Sequence, residues 1–151
     1  MYTKIILGLF SLFLLMPAQG HANESNWLLF GEEKLFDHYY DENNFIRNEE
    51  NVIGVWIKVV PKTQEAIDSL LESRRLRAFQ MDGYKDYQFT VSAIEIDCTN
   101  KTRAMMESRD YGKLGRVLDK VGAVTRNPRP INPNDHPYAF YLKILCKKHP
   151  K

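Results

Sequence analysis

Hydrophobic and polar residues alternate along much of this chain, which is the pattern of half-buried β-strands. The clearest example is segment 52–60, which is rich in β-branched residues and is followed by Pro61. One face of this segment carries Ile53, Val55, Ile57 and Val59. Trp56 and Lys58 lie on the other face, together with Gly54. Because apolar groups occupy both faces, we expect a central strand that is covered on both sides.

The same alternation predicts further strands at 27–30, 34–41, 87–97, 101–108 and 115–121. Within 87–97 the apolar side changes, which predicts a bulge or twist near Ala93. The period changes to 3.6 residues after Thr63, a suitable N-cap for a helix that runs to about Arg77. A second helix is predicted to begin at Asp135 or His136. The fold class is therefore α+β, an antiparallel sheet of about five to six strands packed with two helices.

The N-terminus has the layout of a secretory signal peptide. Lys4 precedes the apolar run 5–16, and small residues before Ala22 fit a cleavage site, so we expect a signal at 1–22 and one domain at 23–151. The rival interpretation is a membrane anchor. Twelve apolar residues span only about 18 Å as a helix, well short of the roughly 30 Å hydrocarbon core. No cysteine lies in 1–22 to accept a lipid, so we expect release without a stable membrane anchor.

Two cysteines remain, Cys98 and Cys146, and we expect them to form one disulfide. The alternatives are a thiol nucleophile or half of a metal site. Neither cysteine has the spacing of a CxxC motif or of a zinc site. A disulfide implies an oxidising compartment, so we expect a periplasmic or secreted protein.

The charge balance gives no reason to expect a nucleic-acid partner. Lysine and arginine number 21 and aspartate and glutamate 19, for a formal net charge of +2. Loss of residues 1–22 removes one further positive charge. Local charged patches remain compatible with these totals.

The order of landmarks resembles the surface-adhesin E family of bacterial envelope proteins. The landmarks are Trp27, Tyr39-Tyr40-Asp41, Phe45-Ile46, Val55-Trp56-Ile57, Ile94-Glu95-Ile96-Asp97-Cys98, Tyr111 with Gly115, and Asn132-Pro133 before Cys146. The resemblance covers nearly all of the chain after residue 22. It implies an antiparallel sheet packed against helices and, in the best-known members, binding of host matrix proteins and of haem. The chain departs from the lipid-anchored adhesin in lacking a lipid-acceptor cysteine, and the helix that follows Thr63 looks like an addition.

The candidate ligand-binding residues are His38, Tyr39 and Tyr40, where an imidazole beside two phenols could bind a small ligand or ligate haem iron. A packed or solvated strand histidine is the alternative. Glu95 and Asp97 share a strand face, as a carboxylate pair for hydrolysis would, but a third catalytic partner is not identifiable. We therefore expect no catalytic residues, no metal site, no cofactor and no enzyme activity.

The remaining hypothesis is an exported binding domain whose partner is a protein or another envelope component, with dimerisation left open. A periplasmic haem or small-ligand carrier is the alternative, and a small hydrolase ranks below both.

Overall fold

A computed structural model describes residues 25–76, 81–122 and 127–148, and its main element is one antiparallel sheet. In chain order the strands are β1 Trp27–Glu32, β2 Phe36–Asp41, β3 Ile46–Arg47, β4 Val52–Pro61, β5 Tyr87–Asp97, β6 Thr102–Gly112, β7 Val117–Gly122 and β8 Arg129–Pro130. The helices are α1 Gln64–Leu76 and α2 Tyr138–Lys148. The predicted signal at 1–22 lies outside the described residues.

The α+β fold class is confirmed, with a small difference in the number of strands. Six strands follow one another in the order β1-β2-β4-β5-β6-β7, and β3 and β8 pair with β4 and β6 to make a sheet of eight. The prediction of about five to six strands matches the main order. The two additional strands contain two residues each, too few for alternation to reveal them.

The register irregularity expected near Ala93 is present, but its origin differs from the expectation. Pairing between β5 and β6 shifts between Ala93 and Ile94, and the extra residue, Met106, belongs to β6. Pairing between β4 and β5 runs without a shift from Val52 to Val59. From Thr90 to Asp97 strand β5 therefore keeps its alternation, and the apparent phase change near Ala93 arises because β5 carries apolar residues on both faces. The extra residue of β5 itself is Gln88, where the pairing with β6 shifts between Tyr87 and Phe89.

The two helices pack on the same side of the sheet and enclose the core. Thr63 caps α1, since its hydroxyl accepts a hydrogen bond of 3.2 Å from the Ala66 amide. The buried core residues are Tyr40, Ile53, Val55, Ile57, Ile94 and Ile96 from the sheet, Ile131 just after β8, and Tyr141 and Leu145 from α2. The predicted Cys98–Cys146 disulfide is present and ties the end of β5 to α2. Its sulfurs lie against this core.

The opposite side of the sheet is called the open face, because neither described helix packs on it. It carries Trp27, Tyr39, Trp56, Lys58, Phe89, Val91, Arg109 and Tyr111, most of them half-buried. We expected β4 to be covered on both sides, but the described helices cover one side only. The second face is covered partly by its own large side chains.

Candidate functional site

The three candidate ligand-binding residues do not form one site, because successive side chains on β2 point to opposite faces. His38 and Tyr40 point into the core, where both are buried. Tyr39 points to the open face, where it is the register partner of Lys58. The structure thus assigns Tyr39 to a different surface from its two neighbours.

His38 is a packed core histidine. Its Nδ1 lies 2.9 Å from the hydroxyl oxygen of Tyr141, and its ring contacts those of Phe30, Phe140 and Tyr141. Its Nε2 lies 3.7 Å from a carboxylate oxygen of Glu33. Burial lowers the pKa of His38, and the nearby Glu33 offsets part of this effect. The neutral imidazole is therefore the favoured form in the folded protein.

A haem group does not fit these residues. His38 is only 2% exposed, and the cleft beside it encloses about 290 Å³. That volume lies at the lower limit of the roughly 300–1,000 Å³ of pockets for drug-sized ligands. Tyr39 is on the other side of the sheet and cannot reach the same iron.

Glu95 and Asp97 share a face of β5, as predicted, but Asp97 has a structural role. Its Oδ1 accepts hydrogen bonds from the backbone amides of Thr99 and Asn100, at 2.9 and 2.7 Å. Its Oδ2 accepts another from the side chain of Asn100 at 2.8 Å. Asp97 thus closes the turn between β5 and β6, in the manner of an Asx-turn.

Side chains from four neighbouring strands meet on the open face. Lys58 on β4 pairs in register with Tyr39 on β2 and with Val91 on β5, and Val91 pairs with Arg109 on β6. Register partners on one face lie about 5 Å apart, so these four residues form a row across the sheet. The row brings a lysine and an arginine among aromatic rings.

Lys58 lies over three aromatic rings. Its Nζ is 4.5 Å from the ring centroid of Phe89, 5.7 Å from that of Trp27 and 5.9 Å from that of Tyr39. These distances are within the roughly 6 Å range of cation–π attraction. Phe89 in turn stacks on Tyr111 at 4.9 Å between centroids. The ammonium group is held in place by aromatic faces.

Arg109 continues the row beside Trp56, whose ring centroid lies 5.7 Å from the guanidinium carbon. Arg109 forms an ion pair with Glu107, and Lys120 Nζ lies 3.2 Å from the second oxygen of that carboxylate. Hydrogen bonding from Arg109, then from Lys120, lowers the pKa of Glu107. Two cations therefore share one carboxylate at this end of the face.

Four of the aromatic rings of the open face and Arg109 line a shallow cleft of about 350 Å³. Its walls include Trp27, Trp56, Phe89, Arg109 and Tyr111. Asp41 also lines it, but its oxygens accept hydrogen bonds from the Asn26 and Asn43 amides and the Asn44 side chain. A larger cleft of about 490 Å³ lies beside α2, and Phe140 is the only aromatic ring apart from His136 among its lining residues.

A buried polar cluster on the core side supports the open face from behind. Asp110 accepts hydrogen bonds from Arg74 at 2.8 Å, from Thr90 at 2.5 Å and from Tyr84 at 2.7 Å. Burial raises the pKa of the adjacent Tyr87 to about 12, so its phenol is neutral. Arg109 and Tyr111, the two neighbours of Asp110 in β6, belong to the open face. The hydrogen bonds to Asp110 therefore hold in place the strand that carries these two side chains.

Sequence reasoning did not identify Lys58, Phe89, Arg109 and Tyr111 as members of one site. The signal that was available is the apolar character of the second face of β4 and β5. It shows that this face is not simply solvated. It does not show which strands are neighbours in the sheet, and the row of side chains across the open face depends on the order of the strands.

The described residues contain no candidate for a membrane-spanning helix or for a metal-binding cluster. Across residues 25–76, 81–122 and 127–148, no helix has the length and apolar character needed to cross a membrane. In the same part of the chain, no three His, Cys, Asp or Glu side chains converge as metal ligands would.

Comparison with known proteins identifies the family. No curated protein and no solved structure is similar enough to the chain to count as a match. The family model of surface-adhesin protein E, in contrast, matches residues 27–147, from the first residue of β1 almost to the end of α2. The match spans every described strand, helix α1, and all but the last residue of α2. The chain belongs to the surface-adhesin protein E family.

Proposed function

We propose that this protein is an exported, non-catalytic binding domain that recognises a partner protein or another envelope component through the open face of its sheet. The single observation that carries the proposal is the row of half-buried aromatic and cationic side chains on a face that neither described helix covers. Membership of an adhesin family supports a binding function and an exported or surface location.

Aromatic residues and arginine are the types most often found at the energetic centres of protein interfaces. Here Trp27, Trp56, Phe89, Tyr111 and Arg109 line the same cleft. Their rings are already held by stacking and by cation–π contacts, so little side-chain entropy remains to be lost on binding. This preorganisation favours recognition over a purely structural role.

The binding test compares two single variants on opposite sides of the molecule. Trp27→Ala removes a ring from the edge of the open face, and Leu76→Ala removes an exposed apolar side chain from α1. Purified extracellular-matrix proteins and envelope components are immobilised, and binding of the oxidised protein is measured by surface plasmon resonance. We expect a partner at micromolar or lower Kd whose affinity falls about tenfold with Trp27→Ala and stays unchanged with Leu76→Ala.

Thermal unfolding of both variants checks that each remains folded. The proposal fails if no component of the panel binds at micromolar concentration. It also fails if Leu76→Ala abolishes binding while Trp27→Ala preserves it.

Export is the part of the proposal that depends on the N-terminus. The layout of residues 1–22 and the disulfide both support it. Mass spectrometry of the protein recovered from the producing cells is expected to show loss of residues 1–22 and no free thiol. Recovery of the intact chain with two thiols would contradict export.

A further inference from the structure

We propose that the cleft beside His38 is a second binding site, and that its ligand is a small amine with an apolar body. This cleft lies on the side of the sheet where α1 and α2 pack, and we call it the helix-side cleft. It is separate from the open face, so this inference does not depend on the proposed function. Its polar end consists of Glu33, His38 and His136, and its other walls are apolar.

The helix-side cleft is built from distant parts of the chain. His38 on β2 and Val59 on β4 are register partners, so both side chains point to the helix side of the sheet. Leu70 of α1 lines one wall, His136 lies just before α2, and Glu33 lies in the turn between β1 and β2. The volume of about 290 Å³ has room for about ten water-sized groups at roughly 30 Å³ each.

Two polar atoms at the end of this cleft have no hydrogen-bond partner within residues 25–76, 81–122 and 127–148. They are Nε2 of His38 and Oε1 of Glu33, and both are shielded from solvent. The distance between them is 3.7 Å, which is too long for a hydrogen bond. A buried polar atom without a partner is costly, so a ligand group that bonds both atoms would be stabilised here.

The imidazole of His38 is fixed in this position. The side chain is almost completely buried, and Nδ1 lies 2.9 Å from the hydroxyl oxygen of Tyr141. The rings of Phe30 and Phe140 contact the imidazole from other sides. The Nε2 atom therefore points into the cleft before any ligand arrives, and little conformational entropy would be lost on binding.

The charge at the polar end favours a cation. The ion-pair partners of Glu33 in the described part of the chain are the two histidines, at 3.7 Å for His38 and 3.6 Å for His136. Lys62 reaches only the backbone oxygen of Glu33 and pairs with Asp37 instead. Burial lowers the pKa of His38, so its neutral ring does not compensate the carboxylate.

An ammonium group meets both requirements of this end of the cleft. It brings one positive charge and three N–H donors, of which one can point to Oε1 of Glu33 and another to Nε2 of His38. Nε2 accepts when Nδ1 carries the ring proton and donates it to Tyr141, and the 2.9 Å distance allows this tautomer.

Other small ligands fit less well. An alcohol can bond the same two atoms through the other tautomer of His38, but it leaves the charge of Glu33 uncompensated. A carboxylate ligand would be repelled by Glu33. The walls formed by Phe36, Val59 and Leu70 require an apolar body beside the ammonium group.

Titration of the oxidised protein with three compounds of one shape tests the inference. Phenethylamine is the probe, and phenethyl alcohol and phenylacetate are its neutral and anionic counterparts. Binding is followed through the imidazole signals of His38 and His136 in carbon–proton correlation NMR spectra. We expect the amine to bind with a Kd below about 1 mM and about tenfold more tightly than the alcohol, and phenylacetate not to bind.

Three protein variants locate the binding. Glu33→Gln removes the charge and keeps the shape, so it is expected to weaken amine binding about tenfold and alcohol binding less than about threefold. Glu32→Gln changes the exposed glutamate next to it and is the matched control, with no expected change. Leu70→Trp fills the cleft from α1 and is expected to abolish binding of both compounds. Thermal unfolding checks that each variant is folded.

The source of the ammonium group is tested with acetyl-lysine methylamide, which represents a lysine of a partner protein. We expect it to bind about tenfold more weakly than phenethylamine, because its amide groups would lose water beside apolar walls. Equal or tighter binding overturns the small amine in favour of a lysine side chain.

The remaining outcomes are equally definite. Equal affinity for the amine and the alcohol, or amine binding that survives Glu33→Gln, overturns the inference. Zinc chloride that shifts the same imidazole signals at a lower concentration than the amine overturns it in favour of a metal ion. Trp27→Ala is expected to leave amine binding unchanged, so a failure at the helix-side cleft does not affect the function proposed for the open face.

Discussion

Replacing Arg74 with methionine is expected to lower the free energy of unfolding by about 3–5 kcal/mol. The reason is the carboxylate that would remain behind. Asp110 is 3% exposed, and Arg74 provides the positive charge among its three hydrogen-bond donors. Thr90 and Tyr84 would still donate to the carboxylate, but both are neutral. A buried charge that loses its counter-charge costs far more than the pair contributed, because its desolvation is no longer compensated.

A pair on the same helix supplies the control. Arg75 donates to Glu72 at the same 2.8 Å distance, but the two side chains are 68% and 54% exposed. An exposed pair of this kind contributes about 0–1 kcal/mol. Arg75→Met is therefore expected to change the stability by less than 1 kcal/mol. The comparison holds the arginine, the helix and the distance constant, while the Arg75 pair is exposed and joins residues only three positions apart.

Equilibrium unfolding in urea measures both variants, with the midpoint shifting and the slope unchanged if the transition stays two-state. For a domain whose total stability is about 5–15 kcal/mol, the Arg74 effect would be a large fraction. Equal effects at Arg74 and Arg75 would refute the reasoning. The double variant Arg74→Met with Asp110→Asn is expected to recover part of the loss, because no buried charge remains. A double variant less stable than Arg74→Met alone would also contradict it.

Two further predictions concern stability. The double variant Cys98→Ser, Cys146→Ser is expected to lower the free energy of unfolding by about 4 kcal/mol, because the bridge closes a loop with a sequence separation of 48. Urea unfolding measures this change, and a decrease below 1 kcal/mol would contradict the loop-entropy argument. Burial lowers the pKa of His38 below 6.5, so the imidazole binds a proton more readily in the unfolded chain than in the folded protein. The contribution of neutral His38 to the free energy of unfolding is therefore fully present above about pH 6.5 and is lost as the pH falls through the lowered pKa. His38→Gln is expected to flatten the difference in melting temperature between pH 7.5 and pH 5.5. A wild-type difference that survives in His38→Gln would refute this.

Much of the fold could be predicted because alternation and helical period are local properties of the sequence. Segment 52–60 and the helix after Thr63 appear almost where expected, since a β-branched run and an N-cap act through nearest neighbours. The second helix begins later than expected, at Tyr138 rather than at Asp135 or His136. The residue His136 is followed by Pro137, and the residue before a proline is disfavoured in helical conformation.

The candidate site was harder to predict because it depends on strand order and on which face is covered. Alternation within a strand puts Tyr39 and Tyr40 on opposite faces, but it does not show that Tyr40 and His38 lie beneath α2. That contact joins residues 103 positions apart, His38 and Tyr141, and such separations leave no mark on a local pattern. The aromatic character of residues 36–40 is therefore explained mainly by core packing.

The second face of β4 links the fold to the proposed function. In the sequence, Trp56 and Lys58 on that face suggest a strand buried from both sides, because large apolar groups are normally removed from water. Neither described helix covers them, and their partners across the sheet are Ala93, Val91 and Tyr39. A sheet whose only task was to support a core could place polar residues there without loss. The cost of exposing these rings therefore favours a surface that is covered when a partner binds.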